Sequence, residues 1–122
     1  MKYLSILLVS FVFIIGCGKP KAEFQSLVHD FGKHKVKTKA THIFQFINTG
    51  KADLIIKKVK AACRCTGTLL SKKRIPAGET GEIKVTLKMN KRPGKMRRSL
   101  KVYTNDPKRP IIRLTVKAMV VE

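Results

Sequence analysis

Hydrophobic and polar residues alternate along most of the chain, and this alternation predicts β-strands. In the segment 81–89, Ile83, Val85 and Leu87 share one side, while charged and polar residues occupy the other. The segment 111–121 repeats the pattern. A period of two is typical of strands that bury one face and expose the other.

Turn sequences separate the predicted strands at intervals of about ten residues. They are rich in Gly, Pro, Asn and Asp, as in Asn48-Thr49-Gly50 and Asn105-Asp106-Pro107, and these residue types favour tight turns. No segment has the apolar stripe of a helix. The seven predicted strands are 24–31, 40–48, 53–62, 65–70, 81–89, 97–104 and 111–121. We therefore predict an all-β, immunoglobulin-like antiparallel β-sandwich, with a small β-barrel as the alternative.

The N-terminal segment has the features of an export signal. Lys2 precedes an apolar run that is shorter than the ~20 residues of an ordinary membrane span. Ile14-Ile15-Gly16-Cys17 resembles the lipobox of bacterial lipoproteins, in which the cysteine is lipidated and becomes the first residue of the mature chain. An uncleaved anchor and plain secretion with a free Cys17 are the alternatives.

These features predict the organisation of the chain. Residues 1–16 form a lipoprotein signal peptide, residues 17–23 a lipidated tether that begins at Cys17, and residues 24–122 the sandwich domain. The predicted location is a bacterial cell envelope, with the protein anchored to a membrane and facing the periplasm or the cell surface.

The charge is strongly positive, with 27 Lys and Arg residues against 7 Asp and Glu, a net charge of +20. Such an imbalance indicates an anionic partner, and a hydrophobic fraction of 43% excludes a disordered polycation. Anionic lipid or an acidic envelope polymer is the expected partner, besides the membrane itself. Nucleic acid is not expected, because the chain is exported and has no aromatic residues interleaved with its basic ones.

Clusters of basic residues supply the candidate binding site. The candidates are Lys72, Lys73, Arg74, Lys91, Arg92, Lys95, Arg97 and Arg98. The alternative is that these charges form a solvated face that discourages aggregation between sheet edges.

Cys63 and Cys65 are the candidates for a disulfide or a reactive thiol site. On an extended strand they share a face with Cα atoms about 6.6 Å apart, near the upper end of the range of about 4.4–6.8 Å for disulfides. They are either a structural pair, bridged or packed, or a redox or soft-metal site for Cu(I) or Zn(II). Arg64 favours the reactive interpretation, because a neighbouring cation stabilises a thiolate.

No catalytic, cofactor or metal signature is visible. The sequence contains no paired carboxylates, Ser/His/Asp arrangement or Gly-rich phosphate loop, so we do not expect an enzyme or a cofactor. His29, His34 and His42 are not spaced like a zinc motif with the cysteines.

An ordered series of motifs resembles a known family. The motifs include His29-Asp30-Phe31-Gly32, Cys63-Arg64-Cys65-Thr66, Ile75-Pro76-Ala77-Gly78-Glu79 and Thr104-Asn105-Asp106-Pro107. Together they are similar to the domain-of-unknown-function family numbered fifteen seventy-three, which is common in exported and lipid-anchored bacterial proteins. The resemblance covers about residues 28–121. It implies an immunoglobulin-like fold related to major-sperm-protein and hydin-type modules, but no particular activity.

One residue departs from the family pattern. Arg64 stands where the family usually has Gly, and a side chain disfavours positive φ.

The sequence as a whole predicts a lipid-anchored envelope protein with a basic binding or scaffolding module. The alternative function is redox chemistry or soft-metal handling by Cys63 and Cys65.

Overall fold

The computed structural model describes residues 18–122, which form nine β-strands in two sheets. The strands are β1 (Ala22–Phe24), β2 (Val28–Lys35), β3 (Lys39–Asn48), β4 (Leu54–Ala61), β5 (Thr66–Leu70), β6 (Arg74–Ile75), β7 (Thr80–Lys88), β8 (Gly94–Thr104) and β9 (Ile111–Val121). Sheet 1 has the strand order β1-β3-β7-β5, and sheet 2 has the order β2-β9-β8-β4-β6. The predicted all-β, immunoglobulin-like sandwich is confirmed.

The core lies between the two sheets and is built by the alternating residues. From sheet 1, Phe44 and Ile83 are at most 1% exposed, and from sheet 2, Leu100 and Leu114 are equally buried. Most buried residues are followed along the strand by an outward-facing one, so the period of two in the sequence becomes the two faces of each sheet. Within residues 18–122, no helix has the length and apolar character needed to cross a membrane.

The predicted first strand, 24–31, is wrong in one respect. The chain forms β1 in sheet 1, crosses at residues 25–27, and continues as β2 in sheet 2. Ser26 stabilises the crossing, because its hydroxyl donates to the carbonyl of Val28 at 2.6 Å. β2 then pairs with β9 in parallel, which the antiparallel prediction did not include. The two-residue strand β6 was also missed, because so short a segment shows no alternation.

The folded part also begins earlier than the predicted boundary at residue 24. Ala22 is fully buried in β1, and its N–H donates to the carboxylate of Asp106 at 3.3 Å. The tether was predicted over residues 17–23, and its last two residues therefore belong to the sandwich. The signal peptide and the lipidation site Cys17 lie outside the described residues and stay predictions.

Candidate functional site

The outward face of sheet 2 places cations in direct register across three strands. Lys60 on β4 lies opposite Lys101 on β8, and Lys101 lies opposite Arg113 on β9. Paired residues of an antiparallel sheet project from the same face, with Cβ atoms about 4.5–5.5 Å apart. We call Lys60, Lys101 and Arg113 the cation row.

The same face carries more positive charge toward the start of β8. Arg97 lies opposite Lys117, which in turn neighbours Asp30 on β2. Together with Lys95, these side chains line an open cleft of about 370 Å³. We define the basic face as the cation row together with Lys95, Arg97 and Lys117.

Hydroxyl and aromatic groups lie beside the cation row. A second cleft, of about 130 Å³, is lined by Lys60, Lys101, Ser99 and Tyr103 among others. The ammonium group of Lys58 lies 4.7 Å from the centre of the Tyr103 ring, which is within cation–π range. The cation row therefore borders groups that donate hydrogen bonds and stack.

Repulsion within the cation row opposes folding. Like charges directly opposite each other in a sheet destabilise it by about 0.2–1 kcal/mol per pair. The strands β2, β4, β8 and β9 contain one acidic residue, Asp30, and Asp30 pairs with Lys117 rather than with the cation row. Lys101 therefore has a cation on each side and no paired carboxylate.

The outward face of sheet 1 differs from that of sheet 2 in the neighbours of its cations. Lys84, in the middle of β7, lies between the apolar side chains of Ile43 and Leu69. One like-charged pair, Lys39 and Lys88, occurs at the end of β3 and β7. The excess positive charge is thus concentrated on sheet 2 rather than spread evenly over both faces.

The structure separates the eight basic residues proposed from the sequence. Lys95 and Arg97 lie on the basic face. Lys72, Lys73 and Arg74 lie in or after the β5–β6 loop at one end of the sandwich, whereas Lys91 and Arg92 lie in the β7–β8 turn at the other.

Two of the three residues in or after the β5–β6 loop already pair with acidic side chains. Lys72 forms an ion pair with Glu79 at 3.4 Å, and Arg74 Nε donates to Asp53 at 2.6 Å. The eight residues therefore do not form one site, because neighbours in sequence diverge in space while the cation row is assembled by pairing between strands.

Sequence reasoning missed Lys60, Lys101 and Arg113 as site residues. Alternation along β8 and β9 already indicates that Lys101 and Arg113 face outward, since Leu100, Val102 and Leu114 are apolar. The register that brings the cations together is not visible in a single sequence.

Arg98 is turned away from the basic face. Successive strand residues point to opposite sides, and Arg98 pairs with the buried Val116. Its Nε donates to Sγ of Cys65 at 3.4 Å, and its Nη1 donates to the carbonyl of Arg97 at 2.9 Å. Arg98 therefore belongs to the cysteine site and not to the basic face.

Cys63 and Cys65 form a disulfide in the connection between β4 and β5. Their Cα atoms are 5.2 Å apart, closer than on an extended strand, because the chain leaves the strand after Ala61 and turns. The N–H of Thr66 donates to the carbonyl of Cys63 at 3.2 Å and closes this turn. The separation of about 6.6 Å expected for extended backbone is therefore too long, because residues 63–65 form a turn between β4 and β5.

Arg64 fits the turn without an unusual backbone. In residues 18–122, Lys37 (φ 62°) is the one non-glycine residue with positive φ, so Arg64 keeps negative φ although the family usually has Gly there. Its side chain is exposed. Arg98, rather than Arg64, is the cation hydrogen-bonded to a cysteine sulfur.

Two histidines stack between the sheets. The rings of His29 on β2 and His42 on β3 are 3.6 Å apart and almost parallel, at 6°. Burial, and then the charge of His29, lower the pKa of His42 below its ordinary value of 6.5.

No group of three or more His, Cys, Asp or Glu residues within 18–122 is placed to hold a metal ion.

The fold and the site define an immunoglobulin-like β-sandwich with a basic outer face and an arginine-contacted disulfide. The chain belongs to the family described as "Protein of unknown function (DUF1573)", whose sequence pattern matches residues 22–120. The resemblance found from the motifs is therefore confirmed. A search of curated proteins finds no match to this chain.

Solved structures support the fold. A protein of unknown function from Porphyromonas gingivalis W83 is similar with a TM-score of 0.74 and 16% identity, covering 90% of this chain and 51% of that one. The VesB protease of Vibrio cholerae gives 0.63 and 12%, covering 85% and 32%. The human CEP192 PapD-like domain 7 gives 0.61 and 12%, covering 85% and 87%. The chain spans about half of the Porphyromonas protein and a third of the protease. Because the identities are only 12–16%, these similarities concern the fold alone.

Proposed function

We propose that this protein is a lipid-anchored component of a bacterial cell envelope that binds an anionic polymer through its basic face. The cation row carries the proposal. Lys101 has Lys60 on one side and Arg113 on the other, an arrangement that weakens the sheet. Phosphate or carboxylate groups of a bound polymer would offset this repulsion with charge-assisted hydrogen bonds.

The geometry suits an extended ligand. Neighbouring strands are about 4.8 Å apart, so a polymer crossing the sheet meets Lys60, Lys101 and Arg113 in succession. The two clefts on this face are partly open to solvent, with volumes of about 370 and 130 Å³. A small ligand usually needs a pocket that buries most of its surface, whereas a polymer gains affinity from repeated contacts.

Variants that remove equal charge test the proposal. The unlipidated chain from residue 18 would be titrated with inorganic polyphosphate at increasing salt, alongside Lys101→Thr and the matched control Lys84→Thr. We expect Lys101→Thr to bind about fivefold more weakly, equivalent to about 1 kcal/mol, and Lys84→Thr to bind like the wild type. Equal weakening by both variants would refute a localised site.

The nature of the anionic partner is tested in parallel. Vesicles containing phosphatidylglycerol would replace polyphosphate in the same titration. Binding to polyphosphate that is lost at high salt supports the polymer, because salt screens exposed charges. Binding to vesicles alone, weakened by Lys101→Thr, would assign the basic face to lipid instead.

The anchoring part of the proposal rests on the sequence before the sandwich. The apolar run and Ile14-Ile15-Gly16-Cys17 are the supporting features, and an acyl chain plus a basic protein surface provides two membrane signals. Intact mass of the membrane-extracted protein should correspond to a chain that starts at Cys17 and carries acyl groups. A soluble chain without acyl groups would contradict the anchor.

A second candidate function is thiol–disulfide exchange, favoured by the 3.4 Å contact between Arg98 Nε and Cys65 Sγ. A thiolate of a dithiol donor would attack Sγ of Cys63, forming a mixed disulfide and releasing Cys65 as a thiolate that faces Arg98. The donor's second thiolate would then attack the donor sulfur of the mixed disulfide and release Cys63. The donor becomes a disulfide and this chain a dithiol.

Alkylation distinguishes this candidate from a structural bridge. The protein would be treated with a reduced dithiol and then with an alkylating agent, and its mass measured. A pair that stays oxidised under mildly reducing conditions would eliminate exchange. Copper and zinc analysis of the reduced protein would test whether the two thiolates hold a soft metal.

A further inference from the structure

The chain just before β1 is fixed to the sandwich by backbone hydrogen bonds. The carbonyl of Lys19 accepts from the N–H of Lys51 at 3.1 Å, and the carbonyl of Lys21 accepts from the N–H of Thr49 at 3.0 Å. The N–H of Lys21 also donates to Oδ1 of Asn48 at 3.2 Å. This segment therefore continues the pairing of β1 with β3 and is not a free tether.

A buried side chain and a glycine make this attachment specific. Asn48 is fully buried, and its amide also donates to the carbonyls of Ala52 at 2.7 Å and Ile75 at 2.9 Å. Gly50 permits the close approach, because a Cβ at this position would collide with the carbonyl oxygen of Lys19. The direction in which the chain leaves the sandwich toward its N-terminus is thus set by the fold.

The end of the sandwich that holds this segment is positively charged. It is formed by the β3–β4 and β8–β9 loops, which line a cleft of about 280 Å³ with Lys19, Lys51 and Lys108 among its residues. These three lysines and Arg109 form no ion pair within residues 18–122. We call Lys19, Lys51, Lys108 and Arg109 the basic end.

The acidic groups at this end already have partners within the sandwich, and Asp53 of the β3–β4 loop accepts a hydrogen bond from Arg74. The buried carboxylate of Asp106 accepts from the backbone N–H groups of Ala22, Lys108 and Arg109. Glu23 pairs with Lys21 at 3.3 Å. The lysine side chains of the basic end are therefore left to interact with an external anion.

We infer that the basic end lies on the phosphate headgroups of the anchoring membrane and that the fixed segment sets the orientation of the module. The inference rests on the proposed lipid anchor, since Cys17 directly precedes Gly18. The strands then run along the membrane normal, the β7–β8 turn is the distal end, and the basic face stands upright. In this orientation the basic face remains accessible to a polymer.

Fluorescence quenching in vesicles tests the orientation. Full-length acylated Thr49→Cys and Arg92→Cys proteins would be labelled without reductant, so that the disulfide stays closed, and placed in phosphatidylglycerol vesicles containing a headgroup quencher. The ends of the nine-residue strand β7 are about 27 Å apart. We expect strong quenching at position 49 and little at position 92. Equal quenching at both would overturn the fixed orientation.

Partitioning tests the headgroup contact itself. The full-length double variant Lys51→Gln/Lys108→Gln should partition about 25-fold less onto these vesicles, at about fivefold per cation. The control Lys91→Gln/Arg92→Gln removes the same charge at the distal end and should partition like the wild type. An equal loss in both variants would overturn the inference.

The mass of the same protein separates the two proposals. A chain without acyl groups would contradict the proposed anchor and thereby this inference. An acylated chain with equal quenching would overturn the orientation alone and leave the anchor intact.

Discussion

Replacing Lys101 by Thr should stabilise the protein, although the change lies in the middle of a sheet. Lys101 faces Lys60 and Arg113 across adjacent strands, and each like-charged pair opposes folding by about 0.2–1 kcal/mol. Removing two pairs should therefore raise the free energy of unfolding by about 0.4–2 kcal/mol. Threonine retains a good β-propensity, so the strand itself should tolerate the change.

Lys84→Thr provides the matched control. Lys84 also lies at the centre of a sheet and faces outward, but its cross-strand neighbours are Ile43 and Leu69. The variant Lys84→Thr removes one charge and the same aliphatic stem, but it separates no pair of like charges on adjacent strands. We expect no gain in stability from this variant, so any difference from Lys101→Thr isolates the effect of the cation row.

Urea unfolding at two salt concentrations measures the effect. The Debye length falls from about 30 Å at 0.01 M salt to about 3 Å at 1 M, so the stabilisation by Lys101→Thr should be largest at low salt and shrink at high salt. A Lys101→Thr protein that is less stable than the wild type at low salt would refute the reasoning. A gain of equal size at both salt concentrations would show that its origin is not electrostatic.

Three further predictions concern other parts of the fold. Asn48→Ala should lower the free energy of unfolding by at least about 2 kcal/mol, measured by urea unfolding, because it leaves buried backbone groups unpaired; an unchanged value would contradict this. Arg98→Met should change the rate at which dithiothreitol reduces the disulfide, and Arg98→Lys should change this rate less. Equal reduction rates in both variants and the wild type would show that Arg98 does not act on the disulfide. The lowered pKa of His42 means that the folded state binds fewer protons than the unfolded state. Stability should therefore fall as the pH drops from about 6.5 toward the folded-state pKa, and His29→Gln should flatten this dependence in unfolding measured against pH.

Alternation was sufficient to predict the strands that build the core. The predicted strands 53–62, 65–70, 81–89 and 111–121 agree closely with β4, β5, β7 and β9. The alternation between buried and exposed residues is clearest in β7. The first strand could not be assigned in full, since the change of sheet at residues 25–27 depends on which edge is free to receive the chain.

The candidate site was less predictable. Lys95 and Arg97 were proposed from the sequence and lie on the basic face, but Arg98 points inward because strand residues alternate. The cation row depends on the register between β4, β8 and β9, which forms by packing of the core and leaves no local signature. The closer approach of Cys63 and Cys65 was missed for a related reason, since the expected Cα separation assumed extended backbone at residues that form a turn.

The most direct test of the basic face is to map polyphosphate binding on the isotope-labelled chain from residue 18 by nuclear magnetic resonance. We predict that, at low salt, the largest amide and side-chain shift changes occur at Lys60, Lys101 and Arg113, with small changes at Lys84. Saturable shifts that are centred on sheet 1, or spread evenly over all lysines, would contradict the proposed site.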